Sequence, residues 1–231
     1  MKVEIWSDVV CPFCYIGKCK FEKALEGFDA KEKVEIVWRS FQLDPDMKYV
    51  PGQSVHEYLG KRKGGSAAEG KRMNDAMTAM AKEVGLEYDF DRAIITNTMD
   101  AHRLIHLAKE HGMQGQMKER LFKAYYTEGE NVGDMDTLVQ LGVEVGLPAD
   151  EIRSILQSDT YKQEVKMDQA LAAQVGARGV PFFVFNDKYA LSGAQPPEVF
   201  AQVLDKVWEE EKPQVIGEAG EGYCNVDGTC N

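Results

Sequence analysis

Cys11-Pro12-Phe13-Cys14 follows a short strand pattern, Lys2-Val3-Glu4-Ile5-Trp6, and opens a helical pattern that runs from Tyr15 to Phe28. Two cysteines separated by two residues on the first turn of a helix can close into a disulfide with little backbone movement. Unpaired N–H groups and the partial positive charge at a helix N-terminus favour a thiolate at the first cysteine. A thiolate is the form that attacks disulfides. We therefore expect redox chemistry here, with Cys11 exposed and acidic and Cys14 buried.

Zinc binding is the main alternative for a single CxxC, because many zinc sites contain one. The sequence has no second CxxC and no Cys-His pair close to this one. His102 and His106 are four residues apart on a predicted helix, a spacing that can bind zinc, but no third ligand is evident. We therefore expect neither a metal nor a cofactor.

Composition restricts the partners of the chain and its compartment. The 231 residues carry a formal net charge of -11, which argues against nucleic acid and membranes, since both attract basic surfaces. Met1-Lys2 runs straight into a strand pattern with no apolar signal region, so we expect a cytoplasmic protein. In that compartment five cysteines are more often reactive or buried than cross-linked.

The order of predicted elements gives the fold class. Residues 34–39 read as a second strand, so the chain begins strand, helix, strand, which predicts a right-handed parallel unit. A long helical block follows, with predicted helices over residues 54–60, 66–84, 89–112, 114–127, 134–146 and 149–157. A further helix over 159–175 leads to a hairpin with strands 180–185 and 189–192, and Pro196-Pro197 opens a last helix that ends near Glu211.

Without the helical block, the order β-α-β, α-β-β-α is that of a thioredoxin fold. The CxxC stands where that fold has it, after the first strand and before the first long helix. We therefore predict an α/β protein, a thioredoxin fold with a large inserted all-helical domain. The thioredoxin-like domain would comprise residues 1–50 and 160–212, the insertion 51–159, and a C-terminal tail 213–231.

The second candidate site element is Gly179-Val180-Pro181-Phe182. A proline at the start of a strand is usually trans and merely begins the strand. In a thioredoxin fold this loop faces the CxxC, so we expect a cis Val180–Pro181 bond that leaves backbone groups free for an extended substrate.

Five segments of the chain resemble the DsbA-like thioredoxin proteins of the FrnE type. They are Ser7 to Gly17, Trp38-Arg39-Ser40-Phe41, Asn97 to Arg103, Gly179 to Phe183, and Ser192-Gly193-Ala194-Gln195. The resemblance spans nearly the whole chain, with the motifs in the family's order. It implies thiol–disulfide oxidoreductase activity, with Cys11 as the nucleophile, Cys14 as the resolving cysteine and Pro181 in the cis form.

The active-site dipeptide Pro12-Phe13 departs from periplasmic DsbA, which has a histidine where this chain has Phe13. Phenylalanine offers no charge to a thiolate. On this argument Cys11 is less acidic than the DsbA thiol and the pair less oxidising, because stabilisation of the reduced form is what makes DsbA a strong oxidant.

Cys224 and Cys230 form a possible second redox pair, since Asp227-Gly228 between them is a turn dipeptide. A bridge closing so short a ring stabilises a fold by roughly 2 kcal/mol, which favours exchange chemistry over a structural staple. Two tail thiols without function, or a weak metal clip, remain alternatives.

Several other residues have competing interpretations. Cys19 reads as a small core residue. Met73, Met77, Met80 and Val84 form a helical stripe that suits either a core or an adaptable groove. Asp8 either caps the helix or relays protons to Cys14.

The leading functional hypothesis is a cytosolic thiol–disulfide oxidoreductase, an oxidase or isomerase, that acts on disulfide-containing or thiol proteins, with glutathione as a further partner. Two other functions remain open from sequence. One is a glutathione-dependent transferase or isomerase of the kappa type, although the relatives of that type lack the paired thiols. The other is a peptide-binding chaperone module.

Overall fold

The computed structural model describes residues 1–212. The predicted tail 213–231, with Cys224 and Cys230, lies outside the described residues. Within the described part of the chain, no helix combines the length and the apolar character needed to cross a membrane.

A four-stranded sheet organises the fold. Its strands are β1 (Lys2–Ser7), β2 (Glu35–Ser40), β3 (Phe182–Phe185) and β4 (Tyr189–Ser192), in the order β2-β1-β3-β4. β1 is parallel to β2 and antiparallel to β3, and β3 pairs with β4 as a hairpin. The parallel unit and the hairpin that the sequence predicts are thus confirmed.

Both faces of the central strand β1 are covered. Helices α1 (Pro12–Glu26) and α9 (Pro197–Glu211) lie on one face, where Ile5 joins a core that contains Phe21, Phe183 and Phe200. Helix α8 (Lys162–Gln174) lies on the other face, where Trp6 packs with Ala172 and its indole N–H donates to the Asp168 carbonyl at 2.8 Å. Alternate residues of β1 therefore belong to two separate apolar layers.

The insertion between β2 and α8 consists of helices joined by loops. Its helices are α2 (Val55–Arg62), α3 (Ala67–Lys82), α4 (Met99–Glu110), α5 (Gln114–Lys123), α6 (Met135–Val145) and α7 (Ala149–Leu156), and a π-helical turn, Ala124–Glu128, continues α5. This arrangement confirms the predicted fold class, a thioredoxin fold with a helical insertion. The domain boundaries at residues 50 and 160 stay a prediction.

One predicted helix begins ten residues too early. The sequence predicts a helix over 89–112, whereas α4 begins at Met99. The preceding segment is held by contacts distant in sequence, because Ile94 forms a β-bridge with Ser54 and the Asn97 amide donates to the carbonyls of Pro45 and Met47 at 2.9 and 3.1 Å. Asn97 Oδ1 also accepts from the Met99 N–H at 2.8 Å, at the point where the helix starts.

Helices α2 and α3 cross with their backbones in contact. A Cβ added at Gly70 would lie 1.9 Å from the His56 carbonyl oxygen, and one at Gly60 would lie 2.1 Å from the Ser66 carbonyl oxygen. A capping box between Ser66 and Glu69 fixes the start of α3. This close crossing fixes the orientation of α2 and α3 relative to each other.

Gly70→Ala is expected to reduce the free energy of unfolding by about 1–3 kcal/mol, the usual cost of overpacking. Alanine gains about 1 kcal/mol over glycine in helix propensity, which offsets only part of a clash with backbone atoms. Urea denaturation measures the difference. Gly27→Ala is the matched control, because its Cβ would meet only the Ala24 carbonyl, at 3.8 Å. Equal stability of the two variants would contradict the close helix crossing.

Candidate active site

Cys11 and Cys14 occupy the first turn of α1. Cys11 is the N-cap residue, Pro12 is the first residue of the helix, and the Cys14 N–H donates to the Cys11 carbonyl at 3.0 Å. Proline suits this position because its missing N–H has no helical partner there. Both cysteines are free thiols in the structure. The sulfurs therefore sit on one preformed turn, as the sequence predicts.

The expectation of an exposed, acidic Cys11 is wrong. Cys11 is only 3% exposed and Cys14 only 1% exposed. The hydrogen bond with Cys14 and burial raise the pKa of the Cys11 thiol well above its usual value. The helix N-terminus favours a thiolate, but ionisation of one sulfur disfavours ionisation of the other when the two are in contact.

The Val180–Pro181 loop covers the first thiol. The Cys11 thiol donates to the Val180 carbonyl at 3.5 Å, and the Val180–Pro181 peptide bond is cis. Pro181 packs on α1 at Gly17, where an added Cβ would lie 3.0 Å from the proline Cγ. The structure thus brings the CxxC and the proline loop, two segments distant in sequence, to one place.

An apolar cavity of about 610 Å³ opens beside Cys11, between the CxxC turn and the α2–α3 pair. Met73, Ala76 and Met77 of α3 line one side, and the charged lining residues include Lys63 and Arg62, which pairs with Asp44 at 2.7 Å. Of the predicted methionine stripe, Met73 and Met77 line the cavity, and Met77, Met80 and Val84 pack against the core.

Asp8 and His102 form a buried polar pair next to the cavity. Asp8 Oδ1 lies 3.3 Å from His102 Nε2, and Oδ2 accepts from the Leu43 N–H at 2.8 Å. Burial alone would raise the pKa of the Asp8 carboxyl, but these hydrogen bonds hold it below its usual value. Burial lowers the pKa of His102. Asp8 is thus an anion beside a neutral imidazole at neutral pH, and its side chain does not cap α1.

Lys118 is a site residue that the sequence reasoning did not identify. Its ammonium donates to the Ser7 carbonyl at 3.2 Å and lies 4.9 Å from the centroid of the Phe122 ring. Burial lowers the pKa of Lys118 to about 8. The available signal was its position on the buried face of α5, whose other members are Gln114, Met117, Leu121 and Phe122.

The other candidate residues from the sequence, His106, Cys19 and Phe13, lie outside the thiol chemistry of the site. His106 Nε2 lies 3.1 Å from Ser40 Oγ and 3.3 Å from Asp168 Oδ2. Within residues 1–212, no group of three or more His, Cys, Asp or Glu side chains is arranged to hold a metal. Cys19 packs against the core, and burial raises its pKa to about 11. Phe13 is 37% exposed.

Three comparisons place this chain among known proteins. The DSBA-like thioredoxin domain profile matches residues 2–205. The uncharacterized protein YwbO of Bacillus subtilis (strain 168) is 30% identical over 205 residues, which cover 87% of this chain and 94% of YwbO. The crystal structure of a probable DsbA oxidoreductase from Streptomyces coelicolor matches this chain with a TM-score of 0.87 and 41% sequence identity. The match covers 99% of this chain and 97% of that one.

A more distant structure, the cytosolic disulfide reductase DsbM from Pseudomonas aeruginosa with GSH, is 17% identical. Its TM-score is 0.62, and the match covers 90% of this chain and all of that one (100%). At this identity the similarity concerns the fold alone.

Blocking the cavity is expected to protect Cys11. Ala76→Trp places a bulky ring in the cavity and should slow alkylation of Cys11 by a maleimide at least tenfold, as measured by mass spectrometry of the CxxC peptide. Ala79→Trp is the matched control, because Ala79 is exposed on the same helix and does not line the cavity. If both variants react at the wild-type rate, reagents reach Cys11 by another route.

Proposed function

The chain belongs to the DSBA-like thioredoxin domain family, and we propose that it is a thiol–disulfide oxidoreductase acting through Cys11 and Cys14. The observation that carries the proposal is the pair of free thiols on one helical turn, the first of which faces both the cavity and the Val180 carbonyl. Disulfide-containing or thiol proteins are its proposed substrates.

The proposed reaction has two exchange steps. The Cys11 thiolate attacks one sulfur of a substrate disulfide, a mixed disulfide forms, and the other substrate sulfur leaves as a thiolate that takes up a proton. Cys14 then loses its proton and attacks the Cys11 sulfur. The Cys11–Cys14 disulfide forms, and the second substrate sulfur leaves and takes up a proton. Two electrons pass to the substrate, and the reverse sequence oxidises a dithiol.

These roles follow from access to the cavity. Cys11 lines the cavity, whereas Cys14 does not and is fully enclosed. An attacking thiol must meet a substrate, while a resolving thiol needs to meet only its neighbour. The methionines of the cavity wall can adapt to different apolar side chains beside a substrate cysteine, which suits a protein that acts on several partners.

Glutathione chemistry of the kappa type is the second candidate function. The specific observation in its favour is a cavity beside a nucleophile whose lining carries Lys63 in addition to the Arg62–Asp44 ion pair, together with the fold similarity to a disulfide reductase described with GSH. The free Cys14 thiol favours dithiol exchange, because a single nucleophile is enough for a transferase. A chaperone that only holds peptides would need neither thiol.

Two finer points are also part of the proposal. Within the family we assign the chain to the FrnE type, on the five sequence segments quoted above. We also propose a cytosolic location, which is supported by the similar fold of the DsbM reductase described as cytosolic.

Trapping of mixed disulfides tests the function. Cys14→Ser should accumulate mixed disulfides with protein substrates, because the resolving sulfur is missing, whereas Cys11→Ser should trap none. Both variants should lose at least a hundredfold in insulin reduction. Non-reducing gels and mass spectrometry identify the trapped species.

Cys19→Ser is the control for these variants, because Cys19 lies outside the cavity lining, and it should reduce insulin at the wild-type rate. Equal trapping by Cys11→Ser and Cys14→Ser would reverse the assigned roles. Wild-type protein that fails to exchange with insulin but conjugates glutathione to an electrophile would favour the kappa-type function.

We further propose that Cys224 and Cys230 assist the first pair as a second redox couple. The support is their spacing around Asp227-Gly228. The double variant Cys224→Ser/Cys230→Ser should slow insulin turnover at least twofold if the two thiols take part in exchange. Unchanged turnover and unchanged peroxide sensitivity would remove this pair from the mechanism.

A further inference from the structure

Lys118 is a buried ammonium with few hydrogen bonds. Its side chain is 1% exposed, and its only hydrogen bond among the described residues is to the Ser7 carbonyl, at 3.2 Å. A lysine ammonium can donate three hydrogen bonds. Its other close neighbours are the rings of Phe122 and Trp38, with centroids 4.9 and 5.7 Å from the nitrogen. Ring faces attract a cation but do not neutralise it.

No carboxylate in the described part of the chain forms an ion pair with Lys118. Lys18, a second buried lysine, shows the contrast, because Glu22 and Glu119 hold its ammonium at 2.8 and 2.6 Å. A buried charge without a partner is costly. Buried ionisable groups of this kind cluster at functional sites.

The charged and titratable groups that face Lys118 come from three elements. Asp8 lies in the loop after β1, Cys11 and Cys14 lie at the start of α1, and His102 lies on α4. The aromatic rings place the ammonium beside the CxxC helix, because the Phe122 ring, 4.9 Å from the ammonium, stacks at 4.7 Å on Tyr15, the residue after Cys14. The Asp8 carboxylate opposes a second negative charge at this place, whereas the Lys118 ammonium favours it.

We propose that Lys118 is the counter-ion of the Cys14 thiolate and thereby sets the redox properties of the Cys11–Cys14 pair. The inference rests on the proposed function of that pair. Lys118 is a positioning residue, since it acts on the resolving sulfur and does not reach the substrate. The helical insertion thus supplies, from α5, the positive charge that Phe13 does not provide.

The step concerned is the resolution of the mixed disulfide. Cys14 gives its proton to solvent or to the departing substrate sulfur, and its sulfur attacks Cys11. The bond from Cys11 to the substrate sulfur breaks, the Cys11–Cys14 bond forms, and the substrate leaves as a thiol. Lys118 keeps its own protons throughout and stabilises the negative charge on Cys14 before the attack. The same charge stabilises the reduced pair relative to the disulfide.

Lys118→Gln is the most informative variant, because an amide can still donate to the Ser7 carbonyl but carries no charge. In glutathione buffers, the equilibrium constant for reduction of the Cys11–Cys14 disulfide should fall at least tenfold, which corresponds to about 30 mV. The mixed disulfide between Cys11 and glutathione should resolve at least tenfold more slowly at neutral pH. The pH of half-maximal resolution should rise.

Two further variants separate charge from packing. Lys118→Met removes both the charge and the hydrogen bond and should give the same redox shift as Lys118→Gln. Lys118→Arg keeps the charge and should stay within threefold of the wild-type equilibrium constant. Lys18→Gln is the control, because the ammonium it removes is already paired with carboxylates, and it should leave both redox measurements within twofold of the wild type.

The possible outcomes separate the role of Lys118 from the proposed oxidoreductase function of the Cys11–Cys14 pair. Folded Lys118→Gln and Lys118→Met proteins with unchanged equilibrium constants and resolution rates would overturn the role of Lys118, whatever happens to their stability. A wild-type protein that forms no Cys11–Cys14 disulfide in glutathione buffers would overturn the proposed function instead. A tenfold fall shared by the Gln and Met variants but absent from Arg and Lys18→Gln supports the counter-ion role.

Discussion

The pairing of Trp6 with Phe182 is the constraint on which the site depends. These residues are register partners, with Trp6 near the end of β1 and Phe182 at the start of β3. Beyond Trp6 the chain turns into Cys11, and immediately before Phe182 it passes through Val180 and Pro181. Because the strands are antiparallel, the end of one and the start of the other meet at the same sheet edge. The sheet register therefore brings the Cys11 thiol and the Val180 carbonyl together.

The helical insertion completes a site that the thioredoxin-like part only begins. Its α3 supplies a cavity wall, α4 supplies His102 and α5 supplies Lys118. The Gln114 side chain anchors α5 to the sheet by pairing with both backbone groups of Trp38. One helical turn further along α5, the Lys118 ammonium reaches the Ser7 carbonyl at the end of β1. Changes in the insertion can thus alter specificity and electrostatics while the CxxC turn stays the same.

Local patterns allowed the sheet, the hairpin, the CxxC helix and most helices of the insertion to be predicted from sequence. Predictions failed where distant contacts decide. Asn97 holds residues before α4 against the loop at Pro45, and no local pattern reports that. Cys11 was expected to be exposed because a helix start usually is, but Val180 covers it. Lys118 was overlooked because a lysine on an apolar helix face is normally read as solvated at its tip.

The balance between Phe13 and Lys118 shows why an active-site dipeptide does not determine a redox potential alone. The absence of charge at Phe13 predicts a weaker oxidant. Phe13, however, stands at an exposed position, where water would screen any charge, whereas Lys118 is enclosed. Coulomb interactions grow severalfold as the effective dielectric falls from that of water to that of a protein interior. On the proposed role of Lys118, its enclosed charge therefore acts on the Cys14 thiolate more strongly than a charge at the exposed position of Phe13 would, and the insertion contributes to the stability of the reduced pair.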